Sequence, residues 1–114
     1  MEIENIPDWA YGVECAITVC DADCKIIYMN EKSRELYRKH GDLIGFNLLK
    51  CHSERSQEII RRLLTEGGTN VYTIEKKGVH KLIYQSAWKK DGKIAGLAEF
   101  SIILPDQLPH YVRE

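Results

Sequence analysis

Hydrophobic positions along this chain change their period several times, and each change marks an element. Ile3, Ile6, Trp9 and Ala10 recur at the three- and four-residue spacing of one helix face. Pro7 suits a first helical turn, Asn5 or Asp8 supplies a cap, and Gly12 ends the piece. Residues 1–14 therefore read as a short helical lid over a sheet face, or as a dimerisation helix. Residues 16–19 (Ala-Ile-Thr-Val) and 26–29 (Ile-Ile-Tyr-Met) are runs rich in β-branched and aromatic residues. The polar connection Asp21-Ala22-Asp23-Cys24-Lys25 makes them a hairpin, and Asn30 caps the helix expected over 30–40. That helix is thin in apolar residues, with Leu36 and Tyr37 beside Ser33 and His40, and Gly41 stops it. Residues 42–49 predict a second short turn and helix, interrupted by Gly45; pieces this short are weakly stable alone and often wall a pocket.

The strongest helical pattern spans 53–66. Ser53 is its N-cap, Glu54 sits at the positive end of the dipole, and Ile59, Ile60, Leu63 and Leu64 form one stripe. Glu58, Arg61, Arg62 and Glu66 face water, and Gly67-Gly68 closes the segment. Three strands follow, over 71–75, 79–88 and 94–104, joined by Lys76-Lys77-Gly78 and by the Asp91-Gly92 turn. In the second of these, Leu82, Tyr84, Ser86 and Trp88 alternate with Lys81, Ile83, Gln85 and Ala87. In the third, both alternating sets are largely apolar, as in a strand covered on both sides. This predicts that the N-terminal helix or a second subunit packs on the outer face. Ile6, Trp9 and Leu97 are the expected dimer-interface residues. Pro105 and Pro109 punctuate a tail over 105–114, and there are no internal repeats.

Composition narrows the function more than the fold. A chain of 114 residues predicts one domain. With 16 Lys and Arg against 17 Asp and Glu, interspersed, no basic face suggests a nucleic-acid partner. No apolar run approaches the ~20 residues of a membrane span. The acidic start, Met1-Glu2-Ile3-Glu4, lacks the basic-then-apolar order of a signal peptide. A cytoplasmic protein with four reduced cysteines is the expectation.

The order of strand, strand, short helices, longer helix and three strands resembles a PAS domain, over roughly residues 5–104. Ala16-Ile17-Thr18-Val19-Cys20-Asp21-Ala22-Asp23, followed by Lys25-Ile26-Ile27-Tyr28-Met29-Asn30, is similar to the usual PAS opening. Asp42-Leu43-Ile44-Gly45-Phe46-Asn47 resembles the family's Leu-Ile-Gly segment, and Lys90-Asp91-Gly92-Lys93-Ile94-Ala95-Gly96 its final hairpin. Leu48-Leu49-Lys50-Cys51-His52-Ser53 is similar to the Cys-His segment of PAS domains joined to hemerythrin-type modules, with Ser53 where Pro is usual. The resemblance implies an α+β fold: a five-stranded antiparallel sheet with the helices on one face and a cavity between. It also implies a sensory and dimerisation role, with haem, flavin, a metabolite or nothing bound. Cys24 stands where the family's opening turn usually has Gly. Either the turn is of a different type, or it tolerates the strain of a positive φ at Cys, about 1 kcal/mol or more.

His52 lies just before the long helix, on a stripe with Ser56, Ile59 and Leu63. With Tyr84, Ser86 and Trp88 from one strand face, these are the expected pocket residues, the hydroxyls supplying polar contacts. The aromatics are equally suited to core packing. In haem-binding PAS domains an axial His comes from this helical region, which makes His52 a candidate iron ligand; its alternative role is a hydrogen bond at the helix start. The photoactive flavin subclass needs a Cys in its helix, and residues 33–39 hold none. Cys20, Cys24, Cys51 and His52 have poor spacing for a zinc site. Adjacent Cys51 and His52 do not make a nucleophile–base pair, and no paired carboxylates or phosphate loop appear. The expectation is a non-enzymatic sensory and interaction module. It would be a homodimer signalling to a separate protein partner and possessing a small-molecule site; a haem-based sensor or a small Cys/His metal protein are the alternatives.

Overall fold

The structure is a computed structural model and describes residues 7–114. Five antiparallel strands form one sheet in the order β2-β1-β5-β4-β3: β1 (Ala16–Asp21), β2 (Ile26–Met29), β3 (Thr69–Lys76), β4 (Val79–Lys90) and β5 (Lys93–Ile103). The helices are α1 (Asp8–Gly12), α2 (Glu31–Leu36) and α3 (Glu54–Glu66), with 3-10 turns at Arg38–His40 and Leu48–Cys51. β3 and β4 are longer than the runs 71–75 and 79–88, because the ladder continues up to the hairpin turns Lys77-Gly78 and Asp91-Gly92. All four turn residues have positive φ, the twist that suits a two-residue hairpin.

Local chemistry sets the helix ends. The Asn30 side chain accepts from the Ser33 backbone N–H, and Ser53 accepts from that of Ser56. Asn30 does more than cap. It is wholly buried, accepts from the Ile17 N–H at 2.8 Å, and donates to the Ala10 and Cys15 carbonyls at 3.1 and 2.8 Å. One side chain thereby ties α1, β1 and α2 together. The helix expected over 30–40 breaks after Leu36, which is exposed, and its buried contact is Ser33, bonded to Thr18. Residues 42–47 form a hydrogen-bonded loop rather than a helix, laid along β2.

The core lies between the sheet and α3. Cys20, Cys24, Ile26, Met29, Leu48, Ile60, Leu63 and Leu97 are buried there against one another. Cys24 has φ 65° and still points into this cluster, 5% exposed. Gly would relieve the turn and leave a hole. Its neighbour Cys20 is walled in by the same packing, which pushes its thiol up to about 12. Gly96 is required by a close approach: a Cβ there would sit 1.9 Å from the Cys20 carbonyl oxygen. Trp88 closes over the same point, its indole N–H donating to that carbonyl at 3.1 Å.

Register decides which residues share the helix side. Thr18 opposes Glu99, Cys20 opposes Leu97, Gln85 opposes Glu99 and Ala87 opposes Leu97. Directly opposed residues point to the same side, so Ile83, Gln85, Ala87, Leu97 and Glu99 face α3. Leu82, Tyr84, Ser86, Trp88, Ala98 and Phe100 face away, with Tyr84 and Phe100 packed edge to face at 6.3 Å. Leu97 is therefore a core residue, 0% exposed, and not part of a dimer interface. The apolar character of β5 conceals that its two faces have different neighbours. Trp9 is 70% exposed on α1 while Ala10 turns inward, so those two do not share a buried face. Ile3, Asn5 and Ile6 lie outside the described residues.

Candidate functional site

β5 carries one carboxylate, Glu99, in the middle of its helix-side face. Its carboxylate is 12% exposed and meets His52 Nε2 at 3.2 Å; the His52 side chain is 10% exposed. His52 comes from the link between the Leu48–Cys51 turn and α3, where its Nδ1 meets the Leu48 carbonyl at 3.0 Å. Gln57, one turn into α3, donates to the carbonyls of Leu49 and His52 at 2.9 and 3.0 Å and holds the link in place. Both imidazole nitrogens thus face oxygen acceptors, an arrangement that suits the doubly protonated ring. The hydrogen bond to Glu99 raises the His52 pKa against the opposing effect of burial. Burial alone would raise Glu99; hydrogen bonds from His52 and Gln85 outweigh it and hold Glu99 below the usual carboxylate range.

The pair continues outward as a chain. Gln85 Nε2 donates to Glu99 at 3.0 Å, and Asn70 Nδ2 donates to Gln85 Oε1 at 2.9 Å. The chain runs from the start of α3, across β5 and β4, to edge strand β3. Around Glu99 stand Tyr37, Cys51, Tyr72 and Cys20, whose own ionisation its charge opposes. Among the described residues His52 is its cationic partner.

A cleft of about 240 Å³ opens at the outer end of this chain, lined by Ser53, Arg55, Ser56, Ile59, Asn70, Tyr72 and Gln85. Gln85 is 1% exposed and brings an amide to its wall. Ile59 and Tyr72 offer apolar surface, and Arg55 a cation. Another groove, of about 300 Å³, lies between α2 and the far end of the sheet beside Glu14, Lys32, Lys81 and Ile103. Its charged residues Glu14, Lys32 and Glu35 pair with one another in solvent contact. The first cleft is the better candidate, because a buried polar group reaches it.

Of the residues expected in a pocket, Ser56 and Ile59 line this cleft and His52 joins it through Glu99 and Gln85. Leu63 is buried in the core cluster. Tyr84, Ser86 and Trp88 are on the other side of the sheet, a correction with a simple cause. Both alternating sets of β4 contain apolar and polar residues, and choosing the wrong set reverses every side chain. Gln85, Glu99 and Asn70 were missed. The signal was a lone carboxylate inside an otherwise apolar strand, since such a group is buried only when paired. As a haem ligand His52 does not fit: Nδ1 and Nε2 are both engaged, and ligation through Nε2 would strand the buried Glu99 carboxylate.

No protein-family model matches the chain, and no curated protein sequence matches it either. Solved structures do. The PAS domain of histidine kinase ThkA superposes with TM-score 0.64 at 17% identity, over 77% of this chain and 97% of that one. The Aer2 receptor of Vibrio cholerae, a dual PAS-heme oxygen sensor, gives 0.61 at 16%, over 80% and 95%. VqmA bound to DPO gives 0.67 at 17%, over 85% of this chain and 55% of that one. Sheet order, the position of the helices and these superpositions agree: the chain has the PAS fold.

Proposed function

We propose that this chain is a sensory signal-transduction module that takes a small polar molecule in the cleft between α3 and the β3–β4 hairpin. The carrying observation is the hydrogen-bonded chain Asn70–Gln85–Glu99–His52, which starts at the cleft and ends at the link holding α3 to the short turns. A ligand that bonds to Asn70 or Gln85 competes with the bond between them. The change passes to Glu99 and loosens or tightens its hold on His52. VqmA, of the same fold, binds DPO, which supports a small-molecule role.

Output is non-covalent: a homodimer whose association with a separate signalling protein depends on the state of the cleft. No step of bond chemistry is assigned to any residue. No helix among the described residues is long and apolar enough to cross a membrane. A net charge of −1 favours protein over nucleic-acid partners.

Native mass spectrometry of the purified protein tests the site. A bound small molecule is expected in the wild type and absent from Gln85→Leu, which removes the amide at nearly constant volume. An adduct held equally by both proteins sinks the assignment. So does a wild type with neither an adduct nor a thermal shift against a metabolite panel.

A further inference from the structure

The two edges of the sheet are finished differently. β2 is short and covered. Ile26 donates to the Phe46 carbonyl at 2.8 Å, Gly45 donates to Ile26 at 2.8 Å, and Leu48 donates to Cys24 at 2.7 Å. Arg34 adds a bond to the Met29 carbonyl. β3 runs for eight residues at the opposite edge, and no described residue bonds to its outer side.

The ladder tells which groups lie there. Ala87 N–H donates to the Gly68 carbonyl at 3.0 Å, one step before the Thr69–Ser86 pair. In an antiparallel ladder alternate residues turn both backbone groups to the same neighbour. Asn70, Tyr72 and Ile74 thus bond to β4, while Thr69, Val71, Thr73 and Glu75 aim N–H and C=O at the open edge. Exposed long edges are ordinarily blunted by Pro, a bulge or a mid-strand charge. β3 has none of these, and its Val71, Tyr72 and Ile74 are 49%, 37% and 40% exposed.

We propose that β3 pairs antiparallel with β3 of a second copy, across a twofold axis at Tyr72, joining two sheets into one. Backbone geometry restricts the register. Outward-facing groups meet only when the paired residues are both from the set 69, 71, 73 and 75. Centring on Tyr72 pairs Thr69 with Glu75 and Val71 with Thr73, engaging the whole set in about eight hydrogen bonds. Centring on Thr73 leaves Thr69 unpaired. The Tyr72 register sets Tyr72 against its own copy, opposes no like charges, and keeps both copies of α3 on one side. A second copy is the fitting occupant because the strand complements itself in this way, and a net charge of −1 offers little repulsion. Tyr72 also walls the cleft, so the partner strand would border the ligand. The inference rests on the homodimer reading and is independent of what the cleft binds.

Cross-linking reads the register directly. Across the axis, residue 72 forms a non-hydrogen-bonded pair with Cα atoms about 4.5 Å apart, within disulfide reach. In a Cys51→Ser background, Tyr72→Cys treated with copper phenanthroline is expected to give a covalent dimer. Ile74→Cys and the background alone are expected to give none. In sedimentation equilibrium, Val71→Pro removes an edge donor and spares the β4 ladder. It should raise the dimer dissociation constant at least about tenfold, a loss of ~1.4 kcal/mol, with circular dichroism unchanged. If Val71→Pro unfolds, the cysteine pair still decides. A wild type that is monomeric at all concentrations overturns this proposal and the homodimer together. A dimer in which Tyr72→Cys does not cross-link, or one lost in Tyr84→Lys and kept in Val71→Pro, overturns the edge pairing alone.

Discussion

Replacing Glu99 by Gln removes the charge of the interior pair and keeps one of its two hydrogen bonds, because a single oxygen, Oε2, meets both His52 and Gln85. A neutral His52 donates from Nδ1 to Leu48 and accepts at Nε2 from the new amide N–H, at the cost of the Gln85 bond, so the reason for its positive charge disappears. Breaking a fully buried pair by deleting one partner costs about 3–5 kcal/mol. Residual solvent contact at both side chains puts His52→Ala at the lower end, about 3 kcal/mol, and Glu99→Gln, which loses one hydrogen bond, at about 1–2 kcal/mol. At ~4 °C per kcal/mol for a domain of this size, His52→Ala lowers Tm by roughly 12 °C. The pH dependence has a definite sign. His52 is raised from 6.5, so its contribution is complete below that value and is lost as pH climbs through the raised one. Glu99 is lowered from 4.5, so its contribution is complete above that value and is lost as pH falls through the lowered one. The pair stabilises most between these limits. On the alkaline side the difference between wild type and Glu99→Gln should shrink by at most about 1.4 kcal/mol per pH unit. Urea unfolding from pH 4 to 9, with NMR titration of the His52 ring, measures both. A wild-type His52 midpoint at or below 6.5, or an alkaline slope unchanged in Glu99→Gln, refutes the charged pair.

Three further changes follow from single contacts. Gly96→Ala drives a methyl into the Cys20 carbonyl at 1.9 Å, so β1 and β5 must part; a loss of at least ~3 kcal/mol in thermal melts is expected, and a melt within about 1 kcal/mol of wild type contradicts the close approach. Asn30→Ala strands two N–H groups and two carbonyls and should cost about 3 kcal/mol or more by denaturant titration, well beyond the ~1 kcal/mol of a simple helix cap. Cys24→Gly relieves about 1 kcal/mol of left-handed strain and forfeits a comparable amount of core packing, so its midpoint should stay within ~0.5 kcal/mol of wild type; a clear gain would mean the thiol contributes nothing to the core.

Much of the fold was written locally. Apolar runs bounded by Asp, Asn and Gly marked the hairpin of β1 and β2, the Ser53 cap and apolar stripe marked α3, and Asp91-Gly92 marked the last turn, because these features act within a few residues. Cys24 was marked through the PAS resemblance, whose opening turn usually has Gly there, and the structure supplied its φ of 65°. Other assignments depended on distant partners. Whether Tyr84 or Gln85 faces α3 turns on strand register, which a strand with two mixed faces does not encode by itself. Leu97 could not be told from a surface leucine until Cys20 and α3 were placed beside it. His52 was visible as a candidate, yet its role rests on Glu99, 47 residues away, and on Gln85 beyond it. The sequence alone determined the strands, caps and turns, since those are set by neighbours along the chain. Only the tertiary structure decided which carboxylate meets the histidine, which cleft its hydrogen bonds reach and which sheet edge stays open, since those depend on how the strands align.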